Sequence, residues 1–255
     1  MKMQLANLFK TTRPFSIRSI DFPATSKVLV LGPHPDDFDA VGVTMRIFQH
    51  NDNAIYVAVV RTGSGVEDAY CSPATLEAKA ALREEEQRQS CRFFGLADEC
   101  LTFLDMEQDD AAQPIDTPVN LDTLKNYVLQ RRPDLVFLPH GNDTNSGHRI
   151  VYALFQRMAR EAGYPVVAFL SKDPKTIAMR IDAFTAYEDA EARWKGQLLR
   201  FHGSQQQRNL NTRNHGFDER ILAVDRQTAQ ELGIAQPYAE AFELEFYDPS
   251  GTPHA

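Results

Sequence analysis

The sequence has no apolar run approaching the roughly 20 residues that a helix needs to cross a bilayer, so no membrane span is expected. Its first 22 residues lack the unbroken apolar core of a secretory leader. Cysteine is scarce. Cys71, Cys91 and Cys100 form neither an even set nor a Cys-x-x-Cys pair, which argues against a disulfide scaffold and for reduced thiols in the cytoplasm. Basic charge is also in short supply: 27 Lys and Arg against 35 Asp and Glu give a net charge of −8. No basic stripe invites nucleic acid or an acidic membrane surface. No Gly-x-Gly-x-x-Gly follows the first expected strand and no Gly-Lys-Ser/Thr loop occurs, so a nucleotide-binding protein would lack its phosphate cradle. Internal repeats, low-complexity blocks and interdomain linkers are missing as well. A cytoplasmic protein that handles a small molecule survives these exclusions.

What is present suffices for one core. Of the residues, 43% are hydrophobic, and one α/β domain commonly reaches this length. Residues 1–26, interrupted by Pro14 and Pro23, read as a peripheral extension, and residues 27–255 as a single domain. Lys27-Val28-Leu29-Val30-Leu31 is a continuous apolar run halted at Gly32-Pro33, as in a strand buried on both faces. Further strands are expected over 54–60, 100–104, 135–138 and 166–170. Helices are expected over 40–50, over 73–94 with Gly95 as cap, and over 121–130 and 149–161. This alternation implies a mostly parallel sheet with helical crossovers. Phe184, Tyr187, Trp194, Leu198 and Phe201 recur at three- and four-residue intervals and predict a long helix over 184–202. The polar stretch 203–240 reads as loop-rich, and 242–246 as an edge strand.

In open parallel sheets, ligands sit beyond the carboxyl ends of the strands. Two such ends carry histidine and carboxylate together. The first is Gly32-Pro33-His34-Pro35-Asp36-Asp37-Phe38-Asp39, and the second runs from Pro139 through His140, Asn142 and Asp143 to His148. Zinc takes imidazole nitrogen and carboxylate oxygen, and a catalytic site uses three protein ligands and leaves a fourth position for water. His34, Asp37 and His148 supply that number. Asp36 then stands beside the metal, free to act as general base on the bound water. Each cluster also has a plain reading. Pro-Asp-Asp after a strand is an ordinary turn with a helix cap, and His140 or His148 alone is commonly structural or superficial. The occurrence of both at strand ends favours a site.

These residues, in this order, resemble the LmbE-like family of N-acetylglucosaminyl deacetylases, which includes the PIG-L enzymes. His34-Pro35-Asp36-Asp37, with Asp39 in the acidic slot, matches the first family motif, and Asn142-Asp143 with His148 the second. Thr62-Gly63-Ser64-Gly65, Arg83 and Glu86 before Phe94-Gly95, and Phe103-Leu104-Asp105 with Asp109 extend the likeness. Arg132-Pro133-Asp134-Leu135-Val136 and Lys195 with His202-Gly203-Ser204-Gln205 carry it across about 27–205. The resemblance implies an α/β fold, a Rossmann-like three-layer sandwich with a mostly parallel sheet. It implies one Zn2+ per chain, or another divalent metal, held by His34, Asp37 and His148, with Asp36 as general base. Arg83 and Asp109 would line the sugar pocket. The implied reaction removes an N-acetyl group from an amino sugar or its conjugate, and a homo-oligomer is compatible with it.

Three departures bear on that expectation. Asn145 stands where many members carry a histidine that serves as general acid. His202, four residues after Leu198, is the first substitute and His140 the second; a packing or surface role is the plain alternative for each. Gly147 stands where many members carry aspartate, so a carboxylate that would orient the last ligand is missing from that position. Ser64 stands where members often have a glutamate that contacts substrate. Arg208, Arg213 and Arg220 place cations near the proposed site, either to meet a phosphate or carboxylate or to form a solvated loop. A non-catalytic sugar-binding relative that retains the metal site is the alternative reading.

Overall fold

The computed structural model describes residue 8, residues 10–63 and 65–248, and the backbone of 253–254. Its strands are β1 (Phe15–Ser16), β2 (Lys27–Gly32), β3 (Ala54–Val59), β4 (Leu101–Phe103), β5 (Leu135–Pro139), β6 (Val166–Ser171), β7 (Ala183–Tyr187), β8 (Tyr238–Tyr247) and β9 (Pro253–His254). Its helices are α1 (Asp37–Ala40), α2 (Gly42–His50), α3 (Leu76–Phe94), α4 (Pro118–Arg131), α5 (Ser146–Arg160), α6 (Asp189–Arg200), α7 (Gly203–Arg213) and α8 (Phe217–Leu232). One sheet runs β1-β7-β8-β6-β5-β2-β3-β4, with β9 paired to β8. All ladders are parallel except those of β8, which is antiparallel to β6, β7 and β9. Among the described residues, no helix is long and apolar enough to cross a membrane.

The three layers follow from the period of two along each strand. Val28 and Val30 of β2, with Val57, Val59, Phe137 and Phe169, face α2, α3 and α6 through Met45, Phe48, Phe94 and Leu198. Leu29 and Leu31, with Ala58, Val136, Leu138 and Leu170, face α4 and α5 through Leu124, Val128, Leu154 and Phe155. A strand apolar on both faces is stable only between two helical layers, so the continuous apolar runs and the sandwich are one fact.

Four expectations change on contact with the structure. The segment before residue 27 is not merely peripheral. Phe15–Ser16 extends the sheet beside Ala183–Phe184, and Leu8, Phe15, Ile17 and Phe22 are buried in the core. The span 184–202 is a strand followed by a helix: Ala183, Thr185 and Tyr187 alternate inward along β7, and pairing with β8 outweighs the helical spacing of the aromatics. The stretch 203–240 contains α7 and α8. The inward positions of α7 are polar (Ser204, Gln205 and Asn209), and those of α8 mix Phe217 and Ile221 with Asp218, Asp225 and Thr228, so neither shows a continuous apolar stripe. Finally, β8 lies inside the sheet. Its Glu240 and Glu245 bond to Lys195 and Tyr152.

Chain order places the site. From β2 the chain proceeds outward to β3 and β4 on one side, whereas β5 and β6 lie on the other. The order reverses between β2 and β5, and a crevice opens there beyond the strand ends. The two histidine-bearing turns leave these two neighbouring strands.

Candidate metal centre

Beyond Gly32 the chain turns sharply into α1. A side chain at Gly32 would bring its Cβ to 3.0 Å from the His34 carbonyl oxygen and 3.1 Å from Asp37 Cβ, so the turn closes only around a glycine. Asp36 sits in the left-handed region, with φ 105°. Such a conformation costs on the order of 1–3 kcal/mol and persists where the surroundings over-determine it. Here the Asp36 backbone N–H donates to Gln87 Oε1 at 2.9 Å, and its carboxylate receives Arg83 Nη2 at 2.9 Å. The same Arg83 nitrogen also donates to the Pro35 carbonyl.

His34, Asp37 and His148 each offer one ligand atom, and the three atoms lie within 4.8 Å of one another. Asp37 Oδ2 accepts the His34 backbone N–H at 2.8 Å, while Oδ1 lies 3.7 Å from His148 Nε2. His34 Nδ1 lies 3.9 Å from Asp37 Oδ2. The ring nitrogens turned away from this centre are both engaged: His34 Nε2 with Gln113 Oε1 at 3.2 Å, and His148 Nδ1 with Asp143 Oδ2 at 3.2 Å. Each imidazole thus directs its remaining nitrogen toward Asp37. Around a tetrahedral ion with bonds near 2.1 Å, ligand atoms stand about 3.4 Å apart. The two imidazole–carboxylate separations, 3.7 and 3.9 Å, lie close to that spacing, and so the residues fit a divalent ion.

Electrostatics follow the same geometry. Burial, with His148 alongside, lowers the His34 pKa to about 3. Burial opposes charge on His148 too, but Asp143 and Asp37 outweigh it and raise its pKa to about 9. Burial raises the Asp37 carboxyl to about 7 against the pull of His148. Asp36 is also raised by burial, but Arg83, His202 and His34 prevail and hold it below its usual value, ionised at neutral pH.

A cavity of about 470 Å³ opens over the trio. His34, Asp36, Asp37, His148 and Arg83 line its floor, and Lys175, Arg208, Arg213 and Arg220 line its walls. Arg83 is buried, and its Nε and Nη1 have no partner among the described residues. Asn145 also lines the cavity, where its side chain caps α5 by accepting the Gly147 N–H at 3.0 Å. Asp109, His202 and His140 are not on the lining. Asp109 is exposed and accepts the N–H groups of Ala111 and Gln113 within its own loop. His202 is fully buried, with Nε2 2.7 Å from Asp39 Oδ2. His140 pairs with Glu243 at 3.3 Å and stacks on Tyr152. Ser64 lies outside the described residues. The sequence reading missed two residues. The carboxylate that orients His148 is Asp143, five positions before it, and the partner of His34 is Gln113. The first was visible inside the second motif; nothing local to the histidine announces the second.

The family model for PIG-L, the GlcNAc-PI de-N-acetylases, matches residues 29–159, just over half of the chain. The chain belongs to the PIG-L family. Among solved structures it is similar to the N,N′-diacetylchitobiose deacetylase of Pyrococcus horikoshii in complex with its inhibitor. The TM-score is 0.67 and the identity 16%, over 86% of this chain and 83% of that one. It is similar to the 4-carboxy-2-hydroxymuconate hydratase GalB of Pseudomonas putida, with a TM-score of 0.64 and 19% identity over 86% and 95%. A zinc-inhibited form of the teicoplanin deacetylase Orf2 gives 0.62 and 15% over 86% and 98%. No curated protein sequence gives a match. Deacetylases and a hydratase share this fold, so the fold does not choose the reaction and the site must.

Proposed function

We propose that the chain is a metal-dependent hydrolase that removes the N-acetyl group of an amino sugar or amino-sugar conjugate. The observation that carries this reading is the convergence of His34, Asp37 and His148 on one point of the cavity floor, with Asp36 ionised and locked beside them. Two imidazole nitrogens and one carboxylate oxygen suit Zn2+, and other divalent ions accept the same donors. When bound, such an ion supplies Lewis acidity toward the amide carbonyl and the attacking water.

The chain's own residues do the rest. Asp36, held by Arg83 and Gln87, takes the proton of the attacking water. Neither His202 nor His140 lines the cavity, so we assign the return of that proton to the amide nitrogen to Asp36 as well. Its position beside the centre serves both half-reactions. Arg83 lines the same cavity and keeps Asp36 ionised beside the centre. Lys175, Arg208, Arg213 and Arg220 form no ion pair among the described residues. They favour a substrate with a phosphate or carboxylate on the sugar.

Acetate release from N-acetylglucosamine and N-acetylglucosamine 1-phosphate by the Zn2+-loaded protein tests this reading. Asp36→Asn is expected to lower kcat by about 10²–10⁴-fold. Unchanged turnover in that variant removes Asp36 as the base. Asn145 in place of a histidine acid favours a second reading, a sugar-binding protein without turnover. Saturable sugar binding with no acetate released from any substrate would select it.

A further inference from the structure

We infer that Gln113 is a positioning residue for His34, fixing the imidazole as the Nε2–H tautomer so that its Nδ1 lone pair faces Asp37, and that Gly147 is the space this contact requires. The inference rests on the reading of His34 as a metal ligand, but the hydrogen bond that carries it joins two side chains of this chain. Gln113 Oε1 lies 3.2 Å from His34 Nε2. An amide oxygen only accepts, so the shared proton belongs to the ring, and a neutral imidazole with its proton on Nε2 keeps its lone pair on Nδ1. That nitrogen is the one 3.9 Å from Asp37 Oδ2.

The loop that delivers Gln113 is held on both sides. Asp109 Oδ1 accepts the backbone N–H groups of Ala111 at 2.9 Å and of Gln113 at 2.8 Å. The Asp109 N–H in turn donates to the Gln113 carbonyl at 2.9 Å. Asp109 therefore acts at the cavity without lining it, by aiming the residue that does.

Gly147 is explained by the same contact. It is the second residue of α5 and does not have a positive φ, so its backbone makes no demand for glycine. Alanine is the better helix former. A Cβ at this position, however, would lie 2.7 Å from Gln113 Oε1, 3.0 Å from His34 Cε1 and 3.1 Å from His34 Nε2. Any side chain here displaces one member of the hydrogen bond. An aspartate there would push the end of the Gln113 side chain aside. Glycine at 147 and glutamine at 113 are thus one arrangement rather than two separate departures. His148 is served in parallel by Asp143, so each imidazole has its outward nitrogen held by a different kind of acceptor.

Two readouts test this. The first is the His34 tautomer in metal-free protein, read from long-range ¹⁵N–¹H NMR correlations. The second is Zn2+ affinity, measured by competition with a chromogenic chelator. In the unaltered chain His34 should carry its proton on Nε2, and in Gln113→Leu it should populate both tautomers. Gln113→Leu and Gly147→Ala should each weaken Zn2+ binding by about 10–100-fold. The double variant should be no weaker than either single one, because both changes break the same bond. Gln113→Glu keeps an acceptor oxygen and should restore the tautomer. Circular dichroism and thermal melting establish that each variant is folded. An Nδ1–H tautomer in the unaltered chain, or Zn2+ affinity within twofold in both single variants, overturns the inference. Additive losses overturn the link between positions 113 and 147. A chain that binds no Zn2+ rejects the metal reading instead, and the tautomer still decides the role of Gln113.

Discussion

Asp143 is almost fully buried and spends its carboxylate on three groups. Oδ1 accepts the Asn145 N–H at 2.6 Å, while Oδ2 faces His148 Nδ1 at 3.2 Å and accepts the Thr176 hydroxyl at 3.4 Å. Burial alone would raise its pKa, but the bond to His148 and the neighbouring charges keep it lowered and hence ionised. A carboxylate behind a ligand imidazole sets the ring's orientation and raises its basicity, and its loss typically costs 10–100-fold in metal affinity. Asp143→Ala should therefore weaken Zn2+ binding by about that factor, and Asp143→Asn, which keeps an acceptor, should recover most of it. Chelator competition checks both, and an unchanged affinity in Asp143→Ala would show that the ring is held by packing alone. At this scale the sequence was informative wherever partners are close along the chain. His34 and Asp37 share one turn, and His148 ends the motif that begins at Asn142. The orienting carboxylate was sought at 147, next to the ligand, because adjacency is what a motif displays. Yet a histidine in the first helical turn reaches back across the turn before it, to Asp143. Gln113 arrives from a loop 79 positions away from its partner, and that distance leaves no local trace.

The elements around the centre are tied together by one buried polar cluster. Lys195 of α6 is fully buried and bonds Asp225 of α8 at 2.6 Å and Glu240 of β8 at 2.8 Å. Glu240 accepts the backbone N–H groups of Val43 and Thr44 at the start of α2, at 3.0 and 2.8 Å, and so anchors the helix that continues from α1 and Asp37. Tyr187 of β7 closes the cluster on Asp225 at 2.5 Å. Removing one member of a buried ion pair leaves an uncompensated charge, which costs about 3–5 kcal/mol. Lys195→Met leaves two carboxylates facing each other without a cation and should destabilise the fold by at least that order. Denaturant unfolding measures this, and a shift below about 1 kcal/mol would mean that the carboxylates take up protons at little cost. This cluster also explains why the C-terminal third was the least legible part of the chain. Hydrophobic periodicity detects an element by its apolar stripe. The inward stripe of α8 runs Phe217, Ile221, Asp225 and Thr228, and its polar half reads as loop. The aromatics Phe184 and Tyr187 happen to continue the period of α6 across a strand boundary that only pairing with β8 defines. By contrast β2, β3, β5 and β6 were legible because strands covered on both faces need apolar residues throughout.

For the whole molecule, the net charge of −8 conceals a division of labour. Four cations meet at the cavity wall: Lys175 from the turn after β6, Arg208 and Arg213 from α7, and Arg220 from α8. Arg220 is half-buried, and its pKa is lowered by burial first and then by Arg213, against the opposing pull of Asp173 and Asp36, with Arg208 adding to the repulsion. Like charges held together, with Asp173 and Asp36 offsetting them only in part, are a cost to the fold that an anionic ligand would relieve. At physiological salt the Debye length is about 8 Å, so the acidic remainder of the surface is largely screened from this wall, and on the proposed function the local arginines favour an anionic group. A hydrogen bond to a charged partner contributes about 1.5–3 kcal/mol, equivalent to at least tenfold in affinity. The relevant quantity is the ratio of kcat/KM for N-acetylglucosamine 1-phosphate to that for N-acetylglucosamine, because any effect on Asp36 or the metal centre cancels in it. Arg220→Gln should lower that ratio by about tenfold or more while leaving the neutral substrate nearly unaffected. If the chain binds sugars without turning them over, the same ratio taken from dissociation constants carries the test. An unaltered chain that handles both sugars equally, or a variant that loses both in proportion, would assign the arginines to the solvated surface and leave the cavity selective for the N-acetyl group alone.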